Sequence, residues 1–423
     1  MNPVQLINRK KSGIRHSAEE INWIVNHFTQ GKISDAQMAS WLMAVNFNGL
    51  DPDETIEYTR ALVESGETIQ FTDNQLVIDK HSTGGVGDKV SFVLGPILAA
   101  LGYRIPMLAG RGLEHTGGTI DKLEAIPGFN TNIPLPAFQK IVESIGLAIM
   151  SQTDEICPAD GQIYSLRDKT ATVNSLALIC GSILSKKIAE GISTLVLDIK
   201  IGNGAFMPTV DEAESLGKLM KTVGEEFDLE VIPCYTNMDQ PLGKTAGLWC
   251  EVIESWEALN GHGAPDLMAV VNHLSTKIIG EGSIQKVNRV IEDGTAKNKF
   301  LEMIFNQGGD EKIIIDNSIN SPAFNFEISA KKEGYISNFN TKDIGFALAE
   351  LGAGKIFSDD ILDFSCGCEF FKKTGEWVDK DEPIAMIFGS NKLKVQGASL
   401  KINDAITLNL NPPKPQKIIL NSD

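Results

Sequence analysis

Two glycine-rich segments, residues 80–91 and 110–122, combine residue types that suit the binding of an anion. They read KHSTGGVGDKVS and GRGLEHTGGTIDK. Glycine lets backbone N–H groups approach an anion closely, because it adopts positive φ without steric cost. Serine and threonine hydroxyls add donors and lysine adds charge, and a helix that begins after such a segment points its positive end toward the ligand. Two segments of this kind predict that a phosphate or a phosphorylated sugar is held between them.

The first segment lacks the ending of a nucleoside-triphosphate-binding loop. Such a loop closes with Gly-Lys followed by Ser or Thr, whereas residues 87–90 read GDKV. The pattern therefore disfavours a triphosphatase and leaves a simpler phosphate group as the expected ligand.

A second set of polar residues follows at helical spacing. Residues 171–187 are apolar on one face, which predicts one long helix. Ser182 and Lys186 are four residues apart, so a helix places their side chains one above the other on the same side. Arg167 precedes this segment and adds a further cation.

The elements before the first glycine-rich segment are predicted to be helical. Capping patterns at residues 17–20, 34–37 and 51–54 each precede apolar residues at helical spacing. The third of these helices is expected to end near Gly66.

From about residue 67 the pattern changes to alternating strands and helices. Helices are predicted at 90–101 and 138–145, and strands at 75–79, 104–108, 147–150, 194–200 and 231–234. This alternation is typical of a parallel sheet with crossover helices. Ligands of such sheets bind at the carboxyl ends of the strands, where both glycine-rich segments fall.

These patterns predict an α/β protein with two domains. A small all-helical domain would be formed by residues 1–66 and 160–192, and a large α/β domain by residues 67–159 and 193–423. We expect the large domain to contain a mixed, largely parallel sheet and to become strand-rich from about residue 310, with a turn at 373–376 leading into a strand. The active site is expected in the cleft between the two domains.

Composition limits the classes of function. The chain has 423 residues, 42% of them hydrophobic, and a formal net charge of −17. This charge argues against a nucleic-acid partner and requires an anion site to be built from local cations and N–H groups. The six cysteines show no paired zinc-ligand spacing, so we expect reduced thiols in a cytoplasmic protein. No signal peptide and no membrane span are expected.

Several motifs together resemble the thymidine and pyrimidine-nucleoside phosphorylase family. They are the two glycine-rich segments, the latter continuing to residue 129, residues 159–173 (with Ala159-Asp160, Tyr164, Arg167-Asp168 and Ala171-Thr172-Val173), residues 204–208 and residues 345–354. The resemblance spans nearly the whole chain and implies a homodimer. It also implies reversible phosphorolysis in pyrimidine salvage, in which inorganic phosphate attacks C1′ of a pyrimidine nucleoside and releases the free base and a (deoxy)ribose 1-phosphate.

The resemblance assigns a role to each candidate residue. The phosphate ligands of the family fall on Lys80, Ser82, Ser91 and Thr119. The family's pyrimidine ligands fall on Arg167, Ser182 and Lys186, whose cations suit carbonyl oxygens that become anionic as the base leaves. His81 matches a catalytic histidine near the base carbonyl and the sugar, a residue type that donates protons near neutral pH.

The sequence departs from the family pattern around the second glycine-rich segment. Ala109 occupies a position where the family usually has serine, which removes one hydroxyl from the expected phosphate site. Glu114 occupies a position where the family usually has glycine, and a carboxylate near an anion is unfavourable unless it points away or is paired.

Some family members bind a potassium ion, and the resemblance places its ligands at Gly87, Lys89, Leu242, Thr245 and Glu254. An ammonium group at Lys89 would crowd or replace that ion. We therefore expect no required cofactor and assign no confident metal site.

The preferred nucleoside is predicted from residues 105–107, which read IPM and resemble the thymidine-specific branch. The broader branch tends to carry lysine at the position of Met107, so we expect thymidine and deoxyuridine as substrates. Three alternatives stay open: a broad phosphorylase that also uses uridine, a phosphoribosyltransferase of the same architecture such as the anthranilate-using enzyme, and a non-catalytic nucleoside-binding homologue. The set of Arg167, Ser182 and Lys186 argues against the phosphoribosyltransferase.

Overall fold

The chain begins with helices, as its capping patterns predict. A computed structural model describes residues 1–71, 75–112, 114–317, 319–356 and 359–420; Leu113 of the second glycine-rich segment lies outside these. The N-terminal helices are α1 (Pro3–Lys11), α2 (Ala18–Thr29), α3 (Asp35–Asn48) and α4 (Pro52–Val63). Capping boxes are present at the starts of α2, α3 and α4, which confirms the three predicted helix starts.

The next part of the chain alternates strands and helices and then returns to helix. Its elements are β1 (Ile78–Ser82), α5 (Val90–Ala100), β2 (Ile105–Ala109), α6 (Thr119–Leu123), α7 (Leu135–Ile145), β3 (Leu147–Ser151), α8 (Pro158–Lys169) and α9 (Leu176–Ala189). The helix predicted over 171–187 is wrong at its start, because Ala171 has a φ of +54° and α9 begins only at Leu176.

The bounds of the first predicted strand are also wrong. The strand runs from Ile78 to Ser82 rather than over 75–79, because its residues 78–82 pair in parallel with residues 194–198. Lys80, His81 and Ser82 therefore lie on the last residues of a strand, which holds them more rigidly than a loop would.

The remaining elements complete the parallel sheet and add an antiparallel region. They are β4 (Thr194–Ile201), α10 (Val210–Glu225), β5 (Glu230–Asn237), β6 (Thr245–Gly247), α11 (Trp249–Glu257), α12 (Pro265–Ile279), α13 (Ser283–Glu292), α14 (Thr295–Asn306), α15 (Glu311–Asp316), β7 (Phe324–Ser329), β8 (Gly334–Phe339), α16 (Thr341–Leu348), β9 (Gly367–Phe370), β10 (Trp377–Val378), β11 (Pro383–Gly389), α17 (Lys392–Asp404) and β12 (Ile406–Asn409), with π-helical turns at Ala258–His262 and Ala349–Ala353. The predicted turn at 373–376 does lead into β10.

The sheets explain how distant residues meet. Strands β1, β4 and β5 pair in parallel, as do β2 and β3, and a parallel bridge between Val77 and Arg104 joins the two groups. The strands of the C-terminal part pair antiparallel. The expected α/β fold with a parallel sheet is confirmed, and that sheet carries the carboxyl ends of β1 and β2 to one edge. The antiparallel strands lie in separate sheets rather than in one mixed sheet.

The helices α8 and α9 connect the two cores. Ala159, Ile163, Ala177 and Leu178 are buried with α1–α4 in one hydrophobic cluster. The later residues of α9 pack instead with β4, β5 and α10. The domain boundaries remain a prediction, but this packing means that α9 links the helical bundle to the sheet. Within the described part of the chain, no helix has the length and apolar character needed to cross a membrane.

Candidate active site

One cavity of about 480 Å³ collects every residue to which the sequence assigned phosphate binding, pyrimidine binding or catalysis. One wall is formed by the ends of β1 and β2 and the starts of α5 and α6, and the facing wall by α8 and α9. The residues brought together are Lys80, His81, Ser82, Ser91, Thr119, Arg167, Ser182 and Lys186. A larger depression of about 660 Å³ beside α2 and α8 contains none of them.

Lys80 lines the part of this cavity to which the family resemblance assigns phosphate. Its ammonium donates a hydrogen bond to the Ser91 hydroxyl at 3.4 Å and lies 3.9 Å from the Asp88 carboxylate. Burial lowers the pKa of Lys80, and the attraction of Asp88 opposes that shift. The arrangement gives the cavity a cation with hydrogen-bonding capacity left for a ligand, since only one of its three protons is used by Ser91.

Asp88 is a residue whose importance the sequence did not reveal. Its carboxylate accepts a 2.5 Å hydrogen bond from the Ser82 hydroxyl and lies 3.8 Å from the Lys200 ammonium. Burial would raise the pKa of Asp88, but Lys200 and Lys80 outweigh burial and hold it well below its ordinary value. Ser82 gives its single proton to Asp88, so its side chain must turn away from Asp88 before it can donate to phosphate.

Two lysines of the glycine-rich segments, Lys89 and Lys122, do not line the cavity. Lys89 and Lys122 are both inaccessible to solvent, and each forms an ion pair with a carboxylate of α11: Lys89 with Glu254 at 3.0 Å and Lys122 with Glu251 at 2.6 Å. The cations of the two segments that do line the cavity are Lys80 and Arg111. Lys89 and Lys122 instead attach the segments to α11.

The surroundings of Lys89 do not fit a potassium ion. Its ammonium donates to the carbonyl oxygens of Leu242 and Thr245, both at 2.8 Å, in addition to its pairing with Glu254. Burial lowers the pKa of Lys89, but Glu254 and Glu251 raise it by more, so the group carries its charge. Oxygen atoms of three of the expected ligands, Leu242, Thr245 and Glu254, thus already have an ammonium as their partner.

The second glycine-rich segment is held by its own ion pairs. Arg111 binds the carboxylates of Asp121 at 2.8 Å and Glu124 at 2.7 Å. Gly118 has no space for a side chain, because a Cβ there would lie 2.1 Å from the backbone nitrogen of Gly112. This close approach delivers Thr119, the first residue of α6, to the cavity.

The two departures from the family pattern fall in different places. Ala109 ends β2 and lines the cavity, so a hydroxyl there would face a ligand. The Glu114 side chain is 41% exposed, lies near His115, and is absent from the cavity lining. Glu114 therefore lies outside the cavity lining, and its φ of +51° is one that glycine adopts more readily.

Arg167 lines the part of the cavity to which the family resemblance assigns the pyrimidine, but it is also a structural residue. Its guanidinium donates to the carbonyl oxygens of Thr172, Val173 and Leu178 at 3.3, 2.8 and 3.0 Å. It also lies over the aromatic ring of Tyr164, 5.7 Å from the ring centre. The three hydrogen bonds hold the turn between α8 and α9 and the first turn of α9. The guanidinium has five N–H donors, so two remain for a ligand.

Lys186 is held in place by a buried carboxylate. Its ammonium forms a 2.5 Å ion pair with Asp160 and donates to the Ser182 hydroxyl at 3.1 Å. Ser182 and Lys186 thus lie one turn apart on α9, as their spacing predicts, and both face the cavity. Because Ser182 only accepts here, its proton is available to a ligand.

The histidines of the two glycine-rich segments, His81 and His115, differ in position. His81 lines the cavity, and burial, followed by the charges of Lys187, Lys186 and Lys80, lowers its pKa well below 6.5. A neutral ring still donates one hydrogen bond. His115 is instead buried between Phe206 and Phe346, with its Nε2 3.1 Å from the carbonyl oxygen of Gly204, and is not part of the lining.

Other lining residues were not assigned roles from the sequence. Ser151 ends β3 and Gln152 follows it directly, and Asp160 and Tyr164 precede Arg167 on one face of α8. Two signals identify such residues: polar residues at the carboxyl end of a parallel strand, and the 160, 164, 167 spacing of a helix face.

Comparison with known proteins agrees with this architecture. Residues 4–66 match the glycosyl transferase family helical bundle domain, and residues 74–297 match the glycosyl transferase family a/b domain. Residues 335–409 match the pyrimidine nucleoside phosphorylase C-terminal domain. A helical bundle followed by an α/β domain thus defines the class as that of the glycosyl transferases.

Relatives that match nearly the whole chain identify a particular family within the glycosyl transferases. A pyrimidine-nucleoside phosphorylase from Staphylococcus epidermidis is 39% identical over 418 residues, with 96% of each chain covered. Another from Geobacillus stearothermophilus is 37% identical over 429 residues, with 99% of each covered. The chain belongs to the pyrimidine-nucleoside phosphorylase family. Anthranilate phosphoribosyltransferase from Thermus thermophilus shares the fold, with a TM-score of 0.57 and 16% identity over 71% of this chain and 99% of its own.

Proposed function

We propose that the protein catalyses reversible phosphorolysis of pyrimidine nucleosides in pyrimidine salvage. One observation carries the proposal: a single cavity joins the hydroxyls and the lysine of the phosphate half to the cations of the base half. The family membership agrees with it. Sixteen per cent identity to the phosphoribosyltransferase supports a shared fold only.

The geometry supplies what the reaction requires. Phosphate bound by Lys80, Ser91 and Thr119 is placed to attack C1′, forming the new C–O bond as the bond to the pyrimidine nitrogen breaks. The electron pair of the broken bond passes to the pyrimidine, whose carbonyl oxygens gain negative charge. Arg167 and Lys186 stabilise that charge, since preorganised donors act most strongly where charge develops. His81 donates a hydrogen bond from a neutral ring, because its pKa is lowered by burial.

The proposal is tested by incubating the purified protein with thymidine, with and without inorganic phosphate. Thymine and 2-deoxyribose 1-phosphate should appear only when phosphate is present. Thymine release without phosphate would indicate hydrolysis and contradict the proposal. Thymidine binding without any turnover would support the non-catalytic homologue, and turnover with anthranilate and a phosphoribosyl diphosphate would support the phosphoribosyltransferase.

Thymidine is proposed as the preferred nucleoside over uridine. Met107 lies on β2 and lines the cavity with an apolar side chain. An apolar group disfavours the ribose 2′-hydroxyl if the sugar contacts it, because a buried hydroxyl without a partner is costly. The ratio of kcat/KM for thymidine and uridine tests this, and Met107→Lys should shift the ratio toward uridine.

We further propose that the enzyme is a cytoplasmic homodimer that requires no bound metal ion. The exposed apolar side chains of Val4 on α1 and Phe47 on α3 offer a surface for a second copy, with Phe47 80% exposed. The free thiols of the six cysteines suit a reducing compartment. The position of the Lys89 ammonium supports independence from potassium. Analytical ultracentrifugation of the wild type and of Phe47→Asp tests the dimer.

A further inference from the structure

The two glycine-rich segments contact each other through one buried side chain. Lys122 lies on α6, three residues after Thr119, and its ammonium donates to the backbone carbonyl of Asp88 in the first segment at 2.9 Å. The same ammonium lies 2.6 Å from the Glu251 carboxylate on α11, and neither side chain is more than 1% exposed. Lys122 thus bonds to the first segment and to α11 while belonging to the second segment.

The contact is made at a sensitive point. Asp88 receives the hydroxyl proton of Ser82, lies 3.9 Å from Lys80, and its carboxylate accepts a hydrogen bond from the backbone of Val90 at the start of α5. Its carbonyl, held by Lys122, therefore sets the position of the carboxylate that orders the first half of the phosphate site.

Close packing leaves the Lys122 side chain little freedom to adopt another position. A Cβ at Gly117 would lie 3.3 Å from the Lys122 ammonium, and the backbone of Gly117 bonds to the carbonyl of Gly85 at 3.4 Å. Glu251 is itself fixed, since it accepts from the backbone N–H of Gly247 at 2.9 Å. The distance between the two segments is thus set by a chain of short contacts that ends on α11.

We propose that Lys122, supported by Glu251, is a positioning residue that sets the distance between the two halves of the phosphate site. The inference rests on the proposed function, because it assigns the residues around Asp88 and Thr119 to the phosphate. Lys122 does not line the cavity, so its effect on phosphate is exerted through the segments that it joins.

The test compares Lys122→Met and Glu251→Gln with a matched control. Lys10 forms an ion pair of similar burial with Glu54 at 2.8 Å, within the helical bundle, so Lys10→Met removes a buried ammonium away from the cavity. Phosphate affinity is measured by calorimetry, and KM is measured for both substrates. Lys122→Met should weaken phosphate binding about 10-fold or more, while KM for thymidine changes less than about 3-fold, since small displacements of preorganised groups are costly. Lys10→Met should leave phosphate affinity within about 2-fold of the wild type, because distant sites act independently.

Glu251→Gln separates positioning from simple charge attraction. Removal of an anion raises the local positive potential, so charge alone predicts tighter phosphate binding, whereas loss of positioning predicts weaker binding. Tighter or unchanged binding in Glu251→Gln, or unchanged phosphate affinity in a folded Lys122→Met, overturns the inference. If Lys122→Met fails to fold, the phosphate affinity of Glu251→Gln decides the inference, because that variant keeps the bond from Lys122 to Asp88 and should fold. A wild type that binds phosphate but releases no thymine refutes the proposed function instead, and the calorimetric comparison still decides this inference.

Discussion

Lys89→Ala should make the enzyme depend on potassium, whereas the wild type is expected to be indifferent to it. The ammonium of Lys89 is fully buried and is bound by two carbonyl oxygens and the Glu254 carboxylate. Lys89→Ala removes the charge and opens space for an ion, whereas Lys89→Met removes the charge and fills most of that space. Comparing the two variants therefore distinguishes the effect of losing the ammonium from the effect of binding a potassium ion in its place.

The expected cost follows from the partners left behind. Removal of one member of a buried ion pair costs about 3–5 kcal/mol. Glu254 keeps three other donors, namely the backbone N–H of Lys244 at 2.6 Å and the backbone N–H and hydroxyl of Thr245 at 2.8 and 2.6 Å. We therefore expect about 3 kcal/mol, the lower end of that range. Potassium at a hundred times its dissociation constant would restore about 2.7 kcal/mol.

The measurement is thermal unfolding and the rate of phosphorolysis in potassium chloride and in tetramethylammonium chloride of equal ionic strength. Lys89→Ala should be more stable and more active in potassium, Lys89→Met should be impaired equally in both salts, and the wild type should behave identically in both. Equal behaviour of Lys89→Ala in the two salts would refute the idea that the ammonium occupies a cation site. Stimulation of the wild type by potassium would refute it as well.

Four further predictions concern three residues that line the cavity and one, Glu114, that lies outside its lining. His81→Gln should retain more activity than His81→Ala at pH 7.5, because burial keeps the ring neutral and an amide can replace a neutral donor; equal loss of activity in both variants would show that the proton itself is needed. Because the pKa of His81 is lowered relative to the unfolded chain, the stability that the neutral ring contributes is present above pH 6.5 and is lost as pH falls. Lys186→Met should lower kcat by roughly 30- to 1000-fold, the equivalent of about 2–4 kcal/mol of transition-state stabilisation, with little change in phosphate KM, whereas near-normal kcat would remove Lys186 from the base site. Ala109→Ser should lower phosphate KM several-fold, since a hydrogen bond to a charged group contributes about 1.5 kcal/mol at the weak end of its range. Glu114→Gly should leave phosphate KM unchanged because its side chain is outside the cavity, and a large effect would show that Glu114 reaches the anion after all.

Arg167 shows why a predicted ligand can be a poor subject for alanine substitution. The sequence assigns Arg167 to pyrimidine binding, which makes turnover the expected readout of its removal. Its guanidinium, however, holds two backbone carbonyls in the turn between α8 and α9 and a third, that of Leu178, in the first turn of α9. Arg167→Ala would leave those acceptors unpaired, and a buried unsatisfied polar group costs about 1–3 kcal/mol. Arg167→Lys is the more informative variant, although one ammonium cannot replace all three bonds.

The sequence predicts the elements of the cavity well because their signals are local or topological. Capping boxes define the starts of α2, α3 and α4 within the chain itself. The alternation of strands and helices places the ends of β1 and β2 at one edge of the sheet, and the spacing of Ser182 and Lys186 places both on one face of α9. The errors occur where distant partners override local preference. β1 extends to Ser82 because β4 pairs with it, and α9 starts late because Arg167 binds the turn before it.

The destination of the buried lysines could not be predicted from local sequence. Lys89 bonds to residues more than 150 positions away along the chain, and Lys122 reaches Glu251 on the same distant helix. In the sequence, both lysines lie beside glycine and hydroxyl residues, where lysine commonly binds phosphate directly. The structure places their ammonium groups behind the segments, where each is paired with a carboxylate three residues from the other on α11. A lysine in a phosphate-binding motif can therefore act on the ligand or on the backbone that surrounds it, and only its distant partners distinguish the two roles. For Lys80, which keeps donors free toward the cavity, the direct role is the one that the geometry supports.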